Sequence, residues 1–316
     1  MKQNFEKKWL YLYAVSILLG ILVNLILTDH TQIIKPLILP SISLLLYVIF
    51  LQIPFNQTFY PLKNLRFFVA LVIGNFIIIP LILYLSIPLI DLDCSVKFAL
   101  LLVLLTPSIN YVVLFSRLGG GSEQLIRVNT PILLILQIIL IPIFLYLSFH
   151  NTINSMISFK LFTSTLIWII IIPLLLALIS EYVLKRFKNT SYTQKAINSL
   201  PKIMLSIVLF CLFATYSNKM WANSYIDLSM VSLIYLSFLI ITPVVAIPLG
   251  SLFTLKATET RTLAFSFLSR NSLIALPIAF AFSHQASVIL SIILLQLFIE
   301  LIGEVIYVRL MPELIL

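Results

Sequence analysis

The chain has 316 residues, of which 61% are hydrophobic and 10% charged, with a mean hydropathy of +1.13 and a formal net charge of +9. Soluble domains carry about 25% charged residues, so this composition excludes a soluble protein and predicts an all-α polytopic membrane protein. Two cysteines, Cys94 and Cys211, and three histidines near the ends of apolar runs, His30, His150 and His284, supply neither a disulfide framework nor a spaced metal cluster, so no metal or cofactor is predicted.

A hydrocarbon core about 30 Å thick needs about 20 apolar residues per helix. Cutting the chain at its polar clusters yields ten such segments: 9–28, 33–54, 66–90, 95–118, 124–149, 160–184, 200–217, 227–253, 260–282 and 286–310. The amino terminus, MKQNFEKKWL, runs into the first span without a small-residue cleavage site and is predicted to stay attached. Asn24 lies in span one and Asn75 in span three, both suited to interhelical hydrogen bonds. Span four reads KFALLLVLLTPSINYVVLFSRL. Pro107 removes a backbone donor and disfavours helix at Thr106, while Ser108 and Asn110 can cap a new half-helix, so a break is predicted there. RLGGGSEQL then lacks the lysine of a nucleotide-binding loop and reads as a flexible inner turn. Span five carries Gln137. The longest polar stretch, residues 185–202, is a loop, and no soluble domain is visible. Cys211, in span seven, reads as a small packing residue. In span nine, AFSFLSRNSLIALPIAF has its candidate break at Arg270, Asn271 and Ser272. Span ten, LLQLFIELIGEVIYVRL, holds Gln296 and two carboxyls one turn apart, Glu300 and Glu304.

With the amino terminus in the cytoplasm, 15 of the 20 basic residues fall on the inner side, four (Lys35, Lys97, Lys160 and Lys219) on the outer side, and Arg270 within a span. This bias predicts both termini cytoplasmic, in the plasma (inner) membrane, and explains the positive charge without nucleic acid. Ten spans divide into five and five, and an odd number per half inverts the second half. NFIIIPLIL around Pro80 matches FLIITPVVA around Pro243, and 28 residues further lie Ser108 and Asn271. LLILQ ending at Gln137 then matches IILLQ ending at Gln296, with four extra residues where the first half has GGGSE. Inverted repeats with interrupted helices are a transporter architecture, and unwound backbone at that depth requires a protein-lined or wet cavity.

Ser108, Arg270 and Glu300 are each predicted roughly 20 Å from the outer surface. An intramembrane guanidinium costs at least about 2.5 kcal/mol, so Arg270 is predicted to face the crossing of the broken helices with Glu300 as its partner. Glu300 is the expected proton carrier, because burial favours its neutral form and a guanidinium its charged form. A structural Arg270–Glu300 ion pair is the competing reading. Glu304, nearer the cytoplasm, is expected to make a pair or a water contact at the inner vestibule.

These segments, with NTPILLILQIILIPIFLYL and RTLAFSFLSRNSLIALPIAFAF, resemble the arsenic-resistance branch of the bile acid:sodium symporter superfamily. The resemblance implies ten helices in an inverted five-plus-five repeat. It also implies a panel (residues 1–60 and 155–222) and a core (61–154 and 223–316), with spans four and nine crossing at the transport site. Arsenite permeases carry a cysteine after the span-four proline, where this chain has Ser108, and a glutamate in span ten, where Glu300 sits. A hydroxyl does not replace a sulfur–arsenic bond. Sodium-coupled members place an acidic residue in the span-nine crossover, where this chain offers Arg270, Asn271 and Ser272; the fixed charge either holds an anion or supplants the ion.

The sequence thus predicts a secondary transporter and no enzyme: proton-linked efflux of arsenite or a related small oxyacid. The alternative is sodium- or proton-coupled symport of an organic anion. The predicted pathway residues are Ser108, Asn110, Arg270, Asn271, Ser272 and Glu300, with Glu304, Gln137, Gln296 and Asn75 in secondary roles. The partners are a small-molecule or ion cargo and the lipid bilayer, with no nucleotide as energy source.

Overall fold

The computed structural model describes residues 2–27, 33–52, 64–108, 112–149, 164–186, 191–222, 227–280 and 286–316. Among them the secondary structure is helical, with a single isolated antiparallel bridge between Pro107 and Arg270. Among the described residues, five helices are long and apolar enough to cross a membrane, and four shorter apolar helices accompany them. Large apolar side chains such as Leu18, Leu85, Ile139 and Ile240 are exposed along these helices. Such surfaces suit lipid, in which a helix satisfies its own backbone and leaves only side chains to be solvated.

Two compact units are present. The first comprises Met1–Gln52, Ile157–Ser224 and Pro277–Ser291. Its helices include α1 (Lys2–Ile26) and α2 (Lys35–Phe50). Later in the chain come α8 (Ile172–Arg186), entered through a π-helical turn at Leu166–Ile171, and α9 (Ser191–Ala222). Asn24 ties α1 to α9: its amide donates to the Ala214 carbonyl at 2.6 Å, and its Oδ1 accepts from the Asn218 N–H at 2.9 Å. Cys211 is a buried free thiol on α9.

The second unit comprises Ile53–Met156, Tyr225–Leu276 and Ile292–Leu316. Its first long helix starts as α3 (Leu65–Ile73), widens into a π-helical turn at Gly74–Ile78 and continues as α4 (Ile79–Ser86). Next come α5 (Cys94–Leu104), α6 (Val112–Leu118) and α7 (Glu123–Phe149), the outer two joined by a Phe98–Phe149 ring contact at 5.5 Å. The later elements are α10 (Leu228–Leu252), α11 (Ala257–Leu268), α12 (Ser272–Phe280) as far as Leu276, and α13 (Ala286–Leu314) from Ile292 onward.

Features of this unit recur 163 residues apart. Asn64 caps α3 by accepting from the Phe67 N–H, and Asp227 caps α10 by accepting from the Met230 N–H. The spans they open, Leu65–Leu89 and Leu228–Leu252, have the same length of 25 residues. Cys94 and Ala257, the first residues of α5 and α11, keep this offset, as do Pro80 and Pro243. The cap of α10 is exposed, and the Ser229 hydroxyl and the Met230 N–H hold the Asp227 carboxyl below the usual carboxylate range.

The glycine turn after α6 is packed where a flexible link was predicted. Gly120 takes a left-handed conformation (φ 74°), and Arg261 donates to its carbonyl at 3.3 Å. A Cβ at Gly121 would lie 2.8 Å from Thr262 Oγ1, so the turn is glycine-rich because α11 passes directly against it.

Candidate functional site

The site begins with two helix ends that lack successors. The α5 helix ends at its αR cap Leu105, just before Thr106 and Pro107, and after α11 the chain is extended at Ser269 (φ −80°, ψ 129°). The freed backbone groups are paired with each other. Ser108 N–H donates to the Ser269 carbonyl at 3.1 Å, and Asn271 N–H donates to the Thr106 carbonyl at 2.7 Å. These bonds flank the bridge between Pro107 and Arg270, themselves 163 residues apart, and shifting each residue by that offset turns one bond into the other. Buried main-chain groups are thereby satisfied without helix.

Arg270 is fully buried, at 0% exposure. Nε donates to the Phe267 carbonyl at 3.1 Å, Nη1 to the Leu104 carbonyl at 3.2 Å, and Nη2 to Asn75 Oδ1 at 3.4 Å and again to the Phe267 carbonyl. The guanidinium lies 5.1 Å from the centre of the Phe238 ring, a cation–π distance. Leu104 and Phe267, again 163 residues apart, lie in the last turns of α5 and α11. Each helix carboxyl end carries roughly half a negative charge, so two converging ends offset about one positive charge.

Asn75 is in place because the π-helical turn presents it. Its amide donates to the Leu71 carbonyl and to Ser266 Oγ, both at 3.1 Å, which leaves Oδ1 for the arginine. Next to it, Gly74 has no room for a side chain: a Cβ would fall 1.8 Å from the Phe267 ring.

Glu300 is nearly fully buried and meets Arg270 at the main chain. Its Oε1 accepts from the Arg270 N–H at 2.9 Å, and its Oε2 accepts from the Gln296 amide. Gln296 Oε1 in turn accepts from the Ser272 hydroxyl at the start of α12. Glu304 is fully buried; Oε1 accepts from the Ser269 hydroxyl, and Oε2 has no hydrogen-bond partner. Ser108 Oγ and Asn271 Nδ2 are likewise buried without a partner.

The structure therefore brings Ser108, Arg270, Asn271, Ser272, Gln296, Glu300, Glu304 and Asn75 into one cluster. Gln137, on α7, is buried with neither amide atom bonded. Asn110, His30, His150 and His284 lie outside the described residues. The sequence reading placed the break at Thr106 without its carbonyl's role and missed Ser269, Phe238 and the carbonyls of Leu104 and Phe267. The offset of 163 leads to several of them, since it relates Thr106 to Ser269 and Asn75 to Phe238.

An apolar cavity of about 220 Å³ adjoins the cluster, lined by Ile79, Leu83, Leu104, Phe238, Ile241 and Thr242 among others. Among the described residues no group of acidic, cysteine and histidine side chains is able to hold a metal ion.

Comparison with curated proteins finds no match. The profile of the Sodium Bile acid symporter family matches residues 39–224, which include the α5 break with Pro107 and Ser108 and end before α10. That match covers more than half of the 316 residues, and the chain belongs to the Sodium Bile acid symporter family, a family of membrane transporters.

Proposed function

We propose that the chain is a proton-linked secondary transporter of arsenite or a related small oxyacid, with the crossover of the α5 and α11 ends as its solute site. Ten crossings in an inverted five-plus-five arrangement, with both termini in the cytoplasm of a plasma membrane, complete the reading. The fixed offset of helix caps, helix starts and bridge partners supports the repeat. Its panel and core domains are residues 1–60 with 155–222, and 61–154 with 223–316.

The observation that carries the solute site is the set of buried polar atoms left open there: Ser108 Oγ, Asn271 Nδ2 and Glu304 Oε2. A buried polar group without a partner is destabilising by about 1–3 kcal/mol, so three in one cluster mark a place made to be occupied. Hydroxyl, amide and carboxyl groups suit an uncharged oxyacid, which both donates and accepts hydrogen bonds. With serine where arsenite permeases have cysteine, the cargo is held by hydrogen bonds and not by a sulfur bond.

Proton coupling is supported by the charge balance. Two helix ends already offset Arg270, Glu300 receives two N–H donors that suit a carboxylate, and Glu304 adds a second carboxyl with one open oxygen. A proton on Glu304 relieves that second charge when the site closes, and release to water follows when it opens. In this reading Glu304 takes over the role the sequence gave to Glu300.

The alternative, symport of an organic anion, draws support from the apolar cavity beside the cation. At about 220 Å³ it is smaller than the 300–1,000 Å³ usual for drug-sized ligands, and the guanidinium beside it is bonded to protein oxygens. A small oxyacid therefore fits better than a steroid. The test is flux of arsenite and of organic carboxylates by purified protein in liposomes. Ser108→Ala and Asn271→Ala are each expected to lower oxyacid flux roughly tenfold, with melting temperatures near that of the parent. Parental flux in both variants would place the solute path elsewhere.

A further inference from the structure

The family name implies sodium, an ion that takes oxygen ligands. The oxygens facing the crossover from its helix carboxyl ends are the Leu104 and Phe267 carbonyls, with Asn75 Oδ1 beside them, and each accepts from the Arg270 guanidinium. A sodium ion does not fit among them while the side chain is there. We propose that Arg270 is itself the cation of this position: a tethered guanidinium that fills, permanently, an oxygen cage built for an exchangeable alkali ion.

Four observations carry this. The two carbonyls occupy equivalent places in α5 and α11, 163 residues apart, so the cage is laid out around the pair of helix ends and not around one arginine-specific loop. The two ends together offset about one unit of positive charge, which suits a monovalent cation of either kind. The donors of a guanidinium are nearly exhausted by the four bonds, and the group is 0% exposed, so it is committed to the protein and not presented to cargo. The Phe238 ring covers one face, as a ring does for a resident cation. The consequence is a protein whose crossover stays assembled without sodium, and which becomes sodium-responsive when the side chain is truncated.

The inference concerns occupancy of the cage and does not depend on the oxyacid reading. Loss of oxyacid flux with the cation result intact would sink that reading alone. The test is thermal melting of purified protein in detergent, with sodium replaced by choline at constant ionic strength, together with equilibrium binding of radioactive sodium. The parent is expected to melt at the same temperature in both salts and to bind no sodium at this cage. Arg270→Ala is expected to melt lower in choline and to recover by a few degrees, saturably, in sodium. Arg270→Lys keeps a tethered cation and is expected to remain indifferent to sodium. Saturable stabilisation of the parent or of Arg270→Lys by sodium would overturn the proposal, as would a folded Arg270→Ala that melts identically in both salts. Folding of Arg270→Ala in sodium but not in choline would itself be the predicted sodium response, and failure to fold in both salts would overturn the proposal.

Discussion

A guanidinium buried in an apolar protein needs a counter-charge, and for Arg270 the main chain provides one. Two helix ends together offset about one charge, and Glu300 accepts from the N–H of the same residue. Glu300 accepts from the Arg270 and Gln296 N–H groups, and glutamine at that position keeps one oxygen acceptor, so Glu300→Gln is expected to retain the fold and much of the flux. Glu304 has a hydroxyl on one oxygen and nothing on the other. Glu304→Gln is expected to fold, to transport, and to lose the dependence of flux on pH, measured as initial rates across a pH series in liposomes. A pH profile that persists in Glu304→Gln and vanishes in Glu300→Gln would return the proton to Glu300. The sequence placed both carboxyls on one face of one helix from their spacing alone. The offset of 163 leads to Ser269 as a position, but not to the bond from its hydroxyl to Glu304, which joins residues 35 apart across an unwound turn.

Helix interruptions, more than helices, give this chain its site. The break after α5 was legible from Pro107, which cannot continue the hydrogen-bond ladder. The break after α11 has no proline at its start and was legible only from polarity, with three hydrophilic residues inside an apolar run. The π-helical turn at Gly74–Ile78 was not legible, since its cause is tertiary: Gly74 lies against the Phe267 ring, and Asn75 is turned towards Ser266 and Arg270. Gly74→Ala brings a methyl group into that ring, and overpacking of this kind costs about 1–3 kcal/mol. The expected result is a lower melting temperature and a loss of flux, because Asn75 and Phe267 shift together. A Gly74→Ala protein with parental melting and flux would show that the turn does not position the arginine.

For the chain as a unit of function, the sequence disclosed the all-helical membrane class better than it disclosed chemistry. Composition and apolar run lengths pointed to a membrane protein, and the spacing from Pro80 to Ser108 and from Pro243 to Asn271 carried the register that pairs Pro107 with Arg270. What a side chain donates to was beyond that reading. Depth and sign led from Arg270 to Glu300, which accepts from its main-chain N–H, but not to the Leu104 and Phe267 carbonyls that accept from the guanidinium, because every residue has a carbonyl. Purified protein in liposomes, loaded with arsenite and given a proton gradient or a sodium gradient in turn, examines solute, coupling and the resident arginine together. Flux driven by the proton gradient, at the same rate whether sodium or choline is present, is the predicted result; flux that responds to the sodium gradient and ignores the proton gradient would contradict it.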